Sequence, residues 1–373
     1  MNLSDINYKK ADIKDFEKLK LLGDGSSCKV YLVKHHRTQF SYAMKIIKKT
    51  TMRHINLQTI TEQQILMEMI HPFISTLFFS FQTELCAYIV MQYSMNTDLF
   101  NIMQVLPLRC MKEEHVLFYA SCVLSGLEYL HLNGIIHRDL KLENILVNES
   151  GHIALSDFDL SIHAKNTVVK KVFTMPYSRT NGIVYEPTII MYGVSGTPEY
   201  MAPEVVNDKP YTCVIDWWTF GILIYEMAYG VTPFGNGEQR NEDCELIYES
   251  IRTNQLAFPI TPFGLELSGN LKKLIKKLLI KNDKKRFGYN GGSTEIKDHP
   301  FFANVNFQSL IYQIPPIIPT DHDFDIPNLC DDSPDDTSEM VNESLLLDEN
   351  IWKSFINVNR ENINPDNIFS INI

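Results

Sequence analysis

The stretch HRDLKLEN, residues 137–144, decides how the rest of the chain is read. It follows EEHVLFYASCVLSGLEYLHLNG, an apolar-periodic run that closes on Gly134 and so reads as a helix with its stop signal. The octapeptide holds a carboxylate at Asp139, an ammonium at Lys141 and a carboxamide at Asn144. Such a loop can accept a proton, neutralise a developing anion and offer an amide oxygen to a hard cation. Further on, SDFDLS at 156–161 supplies a second carboxylate for a cation, Asp157.

Working towards the N-terminus, residues 16–48 alternate like three strands, FEKLKLLGDG, CKVYLVKHH and FSYAMKIIKK, separated by turn residues. GDGSSCKV at 23–30 lies between the first two. Gly23 and Gly25 would let backbone N–H groups approach phosphates, although a plain tight hairpin accounts for the same residues. AMK at 43–45 places Lys45 on the third strand, where it can bind phosphates if a carboxylate holds it. Glu62, in a helix expected from Leu57 to Ile70, is the candidate partner. Taken singly, both residues would be ordinary surface charges. TLFFSFQ and CAYIVMQY read as two further strands.

Beyond residue 94 the pattern turns helical. DWWTFGILIYEMAYG reads as a buried helix and NLKKLIKKLLIKN as an amphipathic one. The expected fold is therefore α+β and bilobal, with a β-rich N-lobe (16–91) and a helical C-lobe (95–305). A short extension (1–15) precedes them, and a tail (306–373) comes after.

Composition narrows the class. The chain has 373 residues, 45% of them hydrophobic, which suits a sizeable core rather than disorder. Its formal net charge of -11 is explained by the acidic stretch 320–350, which holds no Lys or Arg. The seven cysteines show no zinc-type spacing and read as free thiols in a reducing compartment. With no leader-like or membrane-spanning run, the expectation is a cytoplasmic protein, with the membrane periphery or the nucleus as further sites.

At this point the sequence resembles the eukaryotic protein kinases over roughly residues 16–305, and within them the AGC group of Ser/Thr kinases. GTPEYMAPEVV, DWWTFGILIYEM, EIKDHPFF and the C-terminal extension all carry that likeness. The usual motif Asp-Phe-Gly reads Asp157-Phe158-Asp159 here. That variant, with a long insert before GTPEY, resembles a branch holding plant phototropin-type kinases and fungal flippase-kinase-like relatives. Only residues 1–15 precede the kinase-like region, so the fungal type is the better match.

The resemblance implies ATP and Mg²⁺ as cofactors and Ser/Thr hydroxyls of proteins as acceptors. Asp139, Lys141, Lys45 and Glu62 would be catalytic, and Asn144 and Asp157 would hold metal. Gly23, Gly25, Val30, Ala43, Lys45, Met91, Gln92, Ser94, Asp98 and Glu143 would meet the nucleotide. Asp98, Glu143 and Glu226 fall where acids read Arg in a substrate, which favours a basic context. Leu66, Leu77, His137 and Phe158 match an apolar stack linking the lobes. Glu204 and Arg286 are expected to pair, and Asp216 to hold the backbone of the catalytic loop. The further expectations are a monomer, no nucleic-acid partner, an upstream kinase, and membrane contact through the insert. The alternative to an active enzyme is a nucleotide-binding pseudokinase scaffold.

Several positions depart from the group. Gly193 stands where a phosphorylated Ser or Thr pairs with the HRD arginine, and Ser195 comes two residues too late. The insert, about 162–192, is either a basic targeting element or a loop without a role. Pro316-Ile-Ile-Pro319 resembles the tail segment that clasps the small lobe, and Phe324 the aromatic that reaches the nucleotide. Trp352-Lys-Ser-Phe355 resembles a docking motif, but Ile356 follows it in place of a phosphorylatable residue. Weak dependence on phosphate switches is the expectation.

Overall fold

Alternation of side chains along the first strands builds a sheet with one dry face. The computed structural model describes residues 10–25, 28–49, 53–94, 97–163, 168–172, 183–187, 196–235, 244–260, 264, 266–319, 352–363 and 365. In chain order the first elements are β1 (Phe16–Asp24), β2 (Cys28–His35), β3 (Ser41–Lys48), α1 (Arg53–Glu68), β4 (Leu77–Gln82) and β5 (Cys86–Gln92). Next come α2 (Leu99–Val105), α3 (Glu113–Leu132), β6 (Ile135–Ile136), β7 (Ile145–Val147), β8 (Ile153–Leu155), β9 (Ile162–His163), β10 (Val168–Val172) and β11 (Ile183–Pro187). The last are α4 (Pro203–Val206), α5 (Val214–Tyr229), α6 (Cys244–Thr253), α7 (Gly269–Leu278), α8 (Gly292–Lys297) and β12 (Val358–Asn359).

These elements fall into two units. The first comprises Met1–Asn96 with Phe324–Ile373, and the second Thr97–Asp323. The tail, read from sequence as one extension, is thus divided between them.

In the first unit an antiparallel sheet runs β1-β2-β3-β5-β4-β12. Tyr31, Val33, Tyr42 and Met44 turn to one side and join Phe16, Phe79, Phe81 and Tyr88 in a buried cluster. Tyr42 meets Phe79 edge-on at 5.4 Å, and Phe81 stacks on Tyr88 at 4.7 Å. Each ring buried this way contributes about 1.5–3 kcal/mol of transfer free energy. The alternate positions, Val30, Ala43 and Lys45, are only half-buried and share the opposite face. Helix α1 covers most of the span expected from Leu57 to Ile70, starting earlier at Arg53 and ending at Glu68; its apolar residues Ile60, Ile65 and Leu66 are buried.

In the second unit α5 is buried along its whole length, as its composition demands. Helix α7 buries Leu271, Leu274, Ile275 and Leu278 and is capped by Ser268, whose hydroxyl accepts from the Leu271 N–H at 3.1 Å. The insert carries backbone order within its described part, where β10 pairs antiparallel with β11, Val168 opposite Pro187. Among the described residues no helix is long and apolar enough to cross a membrane. Pro316–Pro319, which resembles a tail segment that clasps the small lobe, makes contacts within the helical unit. The Tyr119 hydroxyl donates to the Ile317 carbonyl at 3.3 Å, and Gly151 lies so close to Ile317 that a Cβ would not fit. Phe324, Gly193 and Ser195 lie outside the described residues.

Candidate active site

The sheet unit holds an ion pair. Lys45 sits on the half-buried face of β3, and its ammonium donates to both oxygens of Glu62 at 2.9 Å. Glu62 is 2% exposed, so the charge pair is nearly dry and each partner depends on the other. Register puts Val30 opposite Lys45, and Ala43 opposite Met91, so the residues expected around a nucleotide share one face of the sheet. Gln92 donates its N–H to the Thr76 carbonyl at 3.0 Å, and Ser94 is buried. In the glycine turn the Gly25 N–H donates to the Cys28 carbonyl at 2.9 Å. Gly23 pairs with Val30 near the end of the β1–β2 ladder, where the register shifts.

The helical unit holds the carboxylate expected to accept a proton, Asp139. Oδ1 of Asp139 accepts from the N–H and the hydroxyl of Thr197, both at 2.9 Å. Oδ2 accepts from Lys141 Nζ at 2.8 Å and from Asn144 Nδ2 at 3.2 Å. Lys141 Nζ also donates to the Thr197 hydroxyl at 2.9 Å. Burial would raise the Asp139 carboxyl, but the Lys141 ammonium and the Thr197 hydroxyl outweigh it and hold it below the usual range. The group is therefore ionised at neutral pH. Asn144 donates its Nδ2 to the Asp139 carbonyl at 2.8 Å, and its amide oxygen is the acceptor that a cation could use. Asn144 and Asp157 could supply two oxygens of the kind Mg²⁺ takes.

The loop is held in an uncommon shape. Arg138 has φ 70 and Asp157 φ 61, both in the left-handed region. Such backbone costs about 1–3 kcal/mol per residue and persists only where neighbours fix it. The buried Asp216 of α5 does so: its oxygens accept from the His137 N–H at 2.9 Å and the Arg138 N–H at 3.0 Å, and meet His131 Nε2 at 2.7 Å. Burial would push Asp216 up, but these partners bring it below the ordinary value. Gly196 has φ 110, and a Cβ there would lie 3.0 Å from the Arg138 carbonyl. Glycine is thus required next to Thr197. Asp159, the departure from Asp-Phe-Gly, is not among the described residues of positive φ, so its backbone does not call for the left-handed freedom of glycine. His137 and Phe158 pack at 5.2 Å in this unit, while Leu66 and Leu77 are buried in the other. Arg286 and Glu204 form the expected pair, 2.5 and 2.8 Å, with Arg286 fully buried over Trp218.

The three acids expected to read a basic substrate also lie in this unit. Asp98 caps α2, accepting from the Asn101 N–H at 2.7 Å and the Asn101 side chain at 2.9 Å. Burial, with repulsion from Glu143, pushes its carboxyl up to about 6 against those hydrogen bonds. Glu226 accepts from the Tyr200 hydroxyl, whose pKa burial and the charges of Glu226 and Glu143 raise well above its ordinary value. Sequence reasoning missed the cap at Asp98 and the part played by Thr197. The signal for Thr197 was present, in its fixed place after Gly196 in GTPEY. The signal for Asp98 was an acid just before the apolar run of α2.

Comparison with known proteins agrees with this geometry. A model of the protein kinase domain matches residues 16–302. Flippase kinase 1 of Saccharomyces cerevisiae is 44% identical over 82% of this chain, and the serine/threonine-protein kinase nrc-2 of Neurospora crassa 42% over 82%. The serine/threonine-protein kinase AGC1-7 of Arabidopsis thaliana is 36% identical over 84%. The chain spans 34%, 49% and 65% of the lengths of these three relatives. Domains of this type use ATP and Mg²⁺ in general. Motifs, fold and relatives agree: the chain belongs to the protein kinase domain family, and within it to the AGC group of serine/threonine kinases.

Proposed function

We propose that this chain transfers the γ-phosphoryl group of ATP to Ser and Thr hydroxyls of proteins, with a preference for Arg near the target. The supporting observation is the network in which Asp139, Lys141, Asn144 and Thr197 share one carboxylate. Four donors fill the acceptor sites of Asp139, so an incoming hydroxyl must displace one of them. Lys141 is the natural one to leave, because its ammonium then neutralises charge on the transferred group. Asp139 then orients the hydroxyl and takes its proton as the new P–O bond forms and the bond to the ADP oxygen breaks. Bound MgATP supplies the phosphoryl group and the metal charge; Asn144 and Asp157 would hold the metal, and Lys45, steadied by Glu62, would hold the phosphates. A scaffold without activity would be expected to lack Lys45, Asp139 or Asp157, and all three are in place.

Asp98, Glu143 and Glu226 would receive the substrate's basic side chains. The name of the yeast relative makes a lipid flippase a candidate substrate, which would bring the chain to a membrane surface. The test is an arrayed peptide library with phosphatase-treated chain and MgATP, beside Asp139→Asn. Transfer to Ser/Thr peptides bearing Arg, abolished in the variant, is the expected result. ATP binding without transfer would refute the proposal.

A further inference from the structure

The chain continues past the docking motif, and its next residues make their own contacts with α1. Trp352 and Phe355 are buried, and the Ile356 carbonyl accepts from Ser80 Oγ at 2.6 Å and Gln63 Nε2 at 2.9 Å. Beyond them lies β12, with Val358 opposite Ser80 and Asn359 opposite Phe79. Arg360 comes directly after. Its N–H donates to the Phe78 carbonyl at 2.8 Å, Nη1 to Leu77 O at 3.1 Å and Nη2 to Met67 O at 2.7 Å. Glu361 pairs with Arg37.

Met67 lies in the last turn of α1, and the carbonyls of a last turn have no partner within their own helix. That turn carries Glu68 and no basic residue, which is unfavourable at the negative end of a helix. The Arg360 guanidinium supplies both the missing donor and the missing charge. Its planar fork also reaches Leu77 through a second nitrogen, so one side chain joins the end of α1 to the start of β4. Glu62 lies about one and a half turns up the same helix. A small slide or tilt of α1 would lengthen the bidentate contact of Glu62 with Lys45, and misplacement on the order of 1 Å costs rate heavily in a positioned site.

We infer that Arg360 is a positioning residue, holding the C-terminal end of α1 and through it the Lys45–Glu62 pair. Its effect on rate rests on the kinase activity proposed above, whereas its effect on the helix does not, so the test reads both. Arg360→Ala and Arg360→Lys are made in the full chain. Deuterium uptake is followed in α1 with α3 as the internal reference, together with kcat, the KM values for ATP and peptide, and thermal unfolding.

Arg360→Ala is expected to speed exchange in the last two turns of α1 by about tenfold, with α3 unchanged. It is expected to lower kcat/KM for ATP by about tenfold while the peptide KM stays put. Arg360→Lys, which keeps the charge and one bond, falls between and serves if the alanine variant folds poorly. In a Glu62→Gln background the rate effect should vanish, because Arg360 acts through Glu62. Unchanged α1 exchange in Arg360→Ala overturns the inference, and so does an equal rate loss in the Glu62→Gln background. If the wild-type chain transfers no phosphate, the kinase proposal fails, and the exchange data still decide the role of Arg360.

Discussion

Asp98 offers a prediction in which stability and substrate choice pull apart. Its carboxyl, 3.8 when unperturbed, is pushed up to about 6 by burial and by Glu143. The folded state therefore favours the protonated form. The charged form costs stability above pH 6, and the cost fades as the pH falls towards 3.8. Linkage gives about 3 kcal/mol at pH 7.5, about 1.6 at pH 5 and about 0.5 at pH 4. Asp98 is partly exposed, and solvent screening brings the working figure to about half of each value.

Asp98→Asn removes the charge and keeps the cap, since Asn caps a helix about as well as Asp. Urea unfolding followed by circular dichroism should then show the variant more stable by about 1.5 kcal/mol at pH 7.5, the gain shrinking to a few tenths near pH 4. The same variant should use Arg-bearing peptides less well, because one of three receiving acids is gone. A variant less stable than wild type at pH 7.5, or a gain that does not change with pH, would refute the reasoning.

Other substitutions probe other parts of the molecule. Glu204→Ala strands the buried Arg286 and should cost about 3–5 kcal/mol in chemical denaturation; replacing both by apolar residues should cost less. Gly196→Ala forces a Cβ against the Arg138 carbonyl and moves the Thr197 N–H off Asp139. It should lower kcat by about tenfold or more, and the same strain of about 1–3 kcal/mol in the folded state should lower the melting temperature by a few degrees.

The catalytic loop was legible because its chemistry is carried by side chains at fixed spacing: Asp139, Lys141, Asn144 and Asp157 could be read directly. The alternation of residues 16–48 read as strands, and the register then shows Val30 and Ala43, expected from the resemblance, on one face with Lys45. Arg360 was not legible, because its partners are the carbonyls of Met67, Leu77 and Phe78, and every residue has a carbonyl. The left-handed backbone of Arg138 and Asp157 was hidden for a related reason. Neither is glycine, so nothing in the residue types marks a positive φ, although the hold of Asp216 on the backbone beside Arg138 was expected.

The last strand has a consequence for the solubility of the chain. β12 occupies the outer edge of β4, whose sequence LFFSFQ is short, uncharged and rich in aromatic residues. A bare edge of that kind is a template on which a second molecule can pair its own strand. Chains cut before residue 352 would expose it and are expected to aggregate, so the final residues act as this sheet's guard against self-association.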